Sequence, residues 1–169
     1  MTSEVIDVLT SAPQDQCHPP NHRQGSDTQE DTMTANAPEN TADAIEPGLR
    51  RLTEDYIAAW NATDPGVRRM LVDRVWSVDG TYTDPLCDAV GRDAIDTAIA
   101  AMQGRLRAQL PGHRFILLEG PDAHHHQLRF RWGFRAGTAE PVIVGSDVAM
   151  RDVDGKLTTV LGFLDRVPG

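Results

Sequence analysis

Residues 81–85 read Thr-Tyr-Thr-Asp-Pro. Tyr82 and Thr83 suit a pleated, half-buried strand, and Pro85 cannot donate to a sheet ladder. Asp84 therefore falls at the last place of a short strand, against a forced turn. Helical patterns precede it, and a helix and several strands follow. A carboxylate at such a strand end can face whatever pocket the helices cover, or it can serve Pro85 as an Asx-turn residue.

Upstream, Leu49, Leu52, Tyr56, Ala59 and Trp60 recur at three- and four-residue spacing, which is one face of a helix that opens at Glu46-Pro47. Asn61-Ala62-Thr63 ends it. Asp64-Pro65 starts the next helix, a cap residue followed by proline at the first helical position. Val67, Met70, Leu71 and Val75 are its expected buried stripe, with Trp76 at its end. Asp79-Gly80 reads as a turn into the strand that finishes at Asp84.

Downstream, Gly91-Arg92-Asp93 introduces a third helix whose face is Ile95, Ala98, Ile99, Met102 and Leu106, and Pro111-Gly112 breaks it. Strands are expected over residues 113–119, 124–135, 142–151 and 156–166. Their punctuation is Gly120-Pro121-Asp122, Ala136-Gly137 and Asp154-Gly155. Three helices and a mostly antiparallel meander make an α+β fold, with helices on one face of a curved sheet.

The fold occupies residues 47–166. Residues 1–48 hold nine acids against Arg23, a net of -8 that leaves about -1 of the total -9 for the remainder. Residues 1–46 are rich in Pro, Asn, Gln, Thr, Asp and Glu, a composition expected to stay disordered, and Met33 offers an alternative start. A nearly neutral domain has no basic footprint for nucleic acid or a membrane surface. No apolar run approaches a spanning helix and no signal-peptide pattern opens the chain. Cys17 and Cys87 form no disulfide or metal pattern, so a reducing cytoplasm is the expected compartment. Of the sixteen basic residues only Lys156 is lysine, a bias that fits a GC-rich bacterial genome.

Asp147 lies in the otherwise apolar stretch from Val142 to Met150, on the parity of Ile143, Gly145 and Ala149. There it either faces solvent or is buried, paired and shifted in pKa. His124-His125-His126 reads as a strand start rather than a metal site, because adjacent strand residues point to opposite faces. Arg129, Arg131 and Arg135 share one parity and Phe130, Trp132 and Phe134 the other. The aromatics are therefore expected toward the helices and the arginines on solvent or on a partner subunit.

Together, Tyr56-Ile57-Ala58-Ala59-Trp60-Asn61, Asp84-Pro85, Gly91-Arg92-Asp93-Ala94-Ile95 and Gly145-Ser146-Asp147 with Asp154-Gly155-Lys156-Leu157 resemble the nuclear transport factor 2-like superfamily, and within it the SnoaL-like domains. The resemblance implies a cone: a strongly bent sheet closed by three helices around a deep apolar pocket, commonly dimeric through the sheet. Tyr56, Asp84 and Asp147 match the catalytic tyrosine and two aspartates of ketosteroid isomerase, a superfamily member. In that family the Asp-Pro aspartate shuttles a proton, and the tyrosine with a protonated aspartate holds the enolate oxygen. SnoaL-type cyclases use a pocket aspartate with a histidine, and Asp147 could serve as such an acid/base. Arg129-Phe130-Arg131 stands where limonene-epoxide hydrolases carry Arg-x-Asp, which argues against that activity. The expectation is cofactor-free, metal-free proton transfer on a small apolar carbonyl compound, or else non-catalytic binding of a small apolar molecule. Trp60, Trp76, Phe130, Trp132, Ile143 and Phe163 are the expected ligand-binding wall, and a homodimer is the expected assembly.

Overall fold

Apolar residues at three- and four-residue spacing produce three helices, and β-formers between turn residues produce six strands, in the computed structural model, which describes residues 47–168. The acidic segment expected to be disordered and the alternative start at Met33 lie outside the described residues. The elements are α1 (Pro47–Asn61), α2 (Pro65–Val75), β1 (Trp76–Asp84), β2 (Cys87–Val90), α3 (Arg92–Gln109), β3 (His113–His124), β4 (Gln127–Ala136), β5 (Ile143–Arg151) and β6 (Leu157–Arg166). They form the α+β architecture expected, a curved, unclosed sheet with three helices. The strand order is β2-β1-β6-β5-β4-β3. Only the β1–β6 pair is parallel; every other neighbour pair is antiparallel.

Polar side chains fix how the helices sit. Asp64 caps α2, its Oδ1 accepting from the Val67 N–H at 2.9 Å. Asn61, the last residue of α1, donates to the Phe115 carbonyl and accepts from its N–H, both at 2.9 Å, which ties α1 to β3. Gln103 is buried in α3 and donates to the carbonyls of Ala59 and Trp60. These bonds satisfy carbonyls at the end of α1 that the helix itself leaves open. Lys156 does the same for α2, donating to the carbonyls of Asp73 and Arg74. Trp76, Ile95, Ile99, Val72, Val75, Leu157 and Val160 are fully buried between the helices and the sheet.

Four local expectations are corrected. The buried face of α2 is Arg68, Leu71, Val72 and Val75, whereas Val67 and Met70 are half exposed. The Arg68 guanidinium reaches Asp96 of α3 at 2.7 Å, so its apolar stem is buried between the helices and turns the stripe by one position. Asp79-Gly80 is not a turn: β1 runs through it with an irregular register against β6. Gly120-Pro121-Asp122 likewise lies inside β3, where the register to β4 shifts. The hairpin turn falls instead at His125-His126, with His125 in the left-handed region (φ 53°), so the histidine triplet closes one strand and turns the chain. The short strand β2, absent from the sequence reading, pairs with β1 and places Cys87 beside Asp84.

Candidate active site

Tyr56 projects from α1 into the aromatic interior and is almost completely buried. Trp76 packs against it at a tilt with ring centroids 5.1 Å apart, and Phe130 meets it edge-on at the same distance. Its hydroxyl donates to Asp147 Oδ2 at 2.6 Å. Asp147 is itself buried, on β5, and its Oδ1 accepts from the Trp132 indole N–H of β4 at 3.1 Å. The residues Ile143, Gly145, Asp147 and Ala149 are all buried, as their shared parity requires. Gly145 makes the Trp132 contact possible: a Cβ there would lie 2.2 Å from that ring and 2.6 Å from the Phe163 carbonyl oxygen.

Asp84 fulfils both of its sequence readings. Its Oδ1 accepts from the N–H groups of Leu86 and Cys87, each at 2.8 Å, which is the Asx-turn bonding expected before Pro85. Its Oδ2 accepts from the Tyr82 hydroxyl at 2.7 Å. Tyr82 precedes Asp84 by two residues, so both lie on one face of β1. Gly162 of β6 sits between the two tyrosine–aspartate pairs. A Cβ there would meet Asp84 Cβ at 3.1 Å, Asp147 Oδ1 at 3.2 Å and Tyr82 Oη at 3.4 Å.

Both pairs face one cavity of about 40 Å³, walled further by Ile57, Trp60, Leu86, Met102, Leu106, Phe115, Trp132, Ile143 and Leu164. Tyr56, Asp84, Asp147, Trp60, Trp132 and Ile143 are thus brought together. Three expected wall residues are not there. Trp76 and Phe130 stand behind the Tyr56 ring, and Phe163 is 54% exposed on the outer face of the sheet, opposite Ser146. Leu164, one residue on, takes the inward position. Tyr82 was the nearest residue missed, and its parity with Asp84 was the available signal. Phe115 and Leu164 carried no signal beyond being apolar.

Burial pushes the Asp147 carboxyl up to about 6; the bonds from Tyr56 and Trp132 restrain that rise, and the charges of Asp84 and Asp165 add to it. Burial, then the Asp147 charge and its hydrogen bond, push Tyr56 well above an ordinary phenol. The Trp60 indole N–H favours the opposite direction at Tyr56 without reaching hydrogen-bond geometry, and it has no other partner. Tyr82 is also raised, first by burial and then by the negative charges around it.

A curved, unclosed six-stranded sheet with three helices is the nuclear transport factor 2-like fold. A proposed isomerase of the SnoaL-like family from Agrobacterium tumefaciens str. C58 is 34% identical to this chain. The likeness covers 71% of this chain and 99% of that one, at a TM-score of 0.62. The chain belongs to the SnoaL-like family. A SnoaL-like protein of unknown function from Burkholderia thailandensis E264 (13% identity, 72% and 98% covered, TM-score 0.52) shares the fold. So does a nuclear transport factor 2-like protein of unknown function from Exiguobacterium sp. 255-15 (18% identity, 68% and 98% covered, TM-score 0.52). No family model matches the chain, and no curated protein matches it. Among the described residues, no helix is long and apolar enough to cross a membrane.

Proposed function

We propose that the cavity performs cofactor-free proton transfer on a small carbonyl compound. The observation that carries the proposal is the buried Tyr56–Asp147 bond of 2.6 Å on the same cavity that receives Asp84. Asp84 removes a proton beside the carbonyl, and the C–H electron pair moves into the enolate. The enolate oxygen accepts from Tyr56 and from Asp147 in its protonated form. Asp84 then returns the proton to a different carbon. Preorganised donors in a dry site stabilise the developing oxyanion, and the paired carboxylates divide base from acid. The likeness to a proposed isomerase supports this class of chemistry.

The pKa of Asp147 gives the test its sign. With an acid of pKa about 6 that must be protonated, kcat/KM should fall about tenfold per pH unit above that value. The assay is isomerisation of a β,γ-unsaturated cyclohexenone followed by absorbance. A rate that rises across the same range would exchange the roles of the two carboxylates. No turnover at any pH would leave a non-catalytic binding module. One observation favours that second reading: Asp84 already accepts three hydrogen bonds, enough to account for it structurally.

The partner we propose is a second copy of the chain. Val148, Met150, Leu161 and Phe163 form an exposed apolar patch on the outer face of β5 and β6, with Val148 opposite Leu161. Arg129 and Arg131 stand beside it on β4. A self-complementary patch of this kind suits a two-fold interface. Light scattering at micromolar concentration should give twice the chain mass, and Phe163→Asp should return the monomer.

A further inference from the structure

The walls of the cavity form a circuit. From Asp84 it passes to Tyr82 through their hydrogen bond, then to Trp60 with ring centroids 5.3 Å apart. Phe115 follows at 5.6 Å and Trp132 at 5.4 Å, and the Trp132 indole ends on Asp147. Gly162 closes the gap between the two carboxylates. These four aromatic rings and two carboxylates therefore share one cavity, and Tyr56 and aliphatic side chains complete its wall. None of the residues lining the cavity is Lys, Arg or His, so nothing cationic from the protein answers the two acids inside it.

From this juxtaposition of an aromatic arc with two carboxylates we infer that the cavity selects a small alkylated ammonium group. Aromatic faces attract such a cation through their quadrupoles, and its methyl groups lose little hydration on entering an apolar wall. A buried Asp147 beside a half-buried Asp84 favours a ligand that brings positive charge. Neutral carbonyl compounds of the same size would satisfy the apolar wall but not the charge. The inference shares with the reading above only the premise that this cavity is the ligand site, and it does not depend on the proton-transfer chemistry.

Choline and 3,3-dimethylbutan-1-ol have the same shape and differ in the replacement of the charged nitrogen by carbon. Both are titrated by calorimetry into the full chain at pH 7.5, with tryptophan fluorescence reporting on Trp60 and Trp132. Choline should bind at least tenfold more tightly than the alcohol. Asp84→Asn should weaken choline at least tenfold and leave the alcohol unchanged, and Asp147→Asn should do the same. Equal or tighter binding of the alcohol, or no binding of choline at millimolar concentration, overturns the inference. The comparison within the unaltered protein decides the matter even if a variant fails to fold. Turnover of the cyclohexenone without any charge preference would overturn this inference alone. Choline binding without turnover of any carbonyl compound would overturn the catalytic reading alone.

Discussion

Replacing Asp84 with Asn is expected to lower kcat for enone isomerisation by about 10²–10⁴-fold, the usual contribution of a positioned base. The substitution separates the two tasks of this side chain. An Asn Oδ1 still accepts from the Leu86 and Cys87 N–H groups, so the turn after β1 keeps its bonding. The amide cannot take a proton from carbon. Activity should therefore collapse while the thermal midpoint moves by only a few degrees. A loss of activity matched by a loss of folded protein would mean that Asp84 is architectural, and the binding-module reading would take over.

The largest loss of stability is expected from Gly145→Ala. The added methyl group would lie 2.2 Å and 2.5 Å from atoms of the Trp132 ring and 2.6 Å from a backbone oxygen of β6. The ring must swing away or the strands must part, and either breaks the Trp132–Asp147 hydrogen bond. Overpacking of this kind costs on the order of 3 kcal/mol, roughly 10 °C in Tm for a domain of this size. Gly104→Ala provides the contrast. Gly104 lies in α3 with nothing within 4 Å of an added Cβ, so alanine there should stabilise by about 0.5–1 kcal/mol through helix propensity. Two thermal melts check both signs, and similar midpoints for the two variants would show that Trp132 yields easily.

The parts of this fold legible in the sequence were those in which one chemical rule acts alone. Asp64-Pro65 could only cap and start a helix, and Pro85 could only stop a strand. Asp147 was legible only as solvent-facing or else buried and paired, because β5 carries apolar residues on both parities; it is buried, with Tyr56, ninety-one positions away, on its oxygen. Phase failed where both faces of an element carry apolar residues. On β6, Val160 and Leu164 point inward while Leu161 and Phe163 point outward, so hydrophobicity could not say which set lines the cavity. On α2 an arginine stem took a place that a hydrophobic pattern assigns to valine or methionine. The cavity's own extent was the least legible, because Phe115 on β3, Leu106 on α3 and Leu164 on β6 reach it from three separate elements.

The place of β6 has a consequence for how the protein is made. Asp84 and Asp147 stand on strands that never pair with each other; the last strand of the domain lies between them and contributes the glycine that spaces them. Until the ribosome releases residues 157–166, β1 has no inner neighbour, and the two acids have no fixed separation. Local contacts in α1, α2 and the β3–β4 hairpin can form during synthesis, whereas the parallel β1–β6 pair must close a loop of more than seventy residues. A chain cut short before β6 would emerge with helices and hairpin but with its two carboxylates unassembled, so the candidate site exists only once the domain is complete.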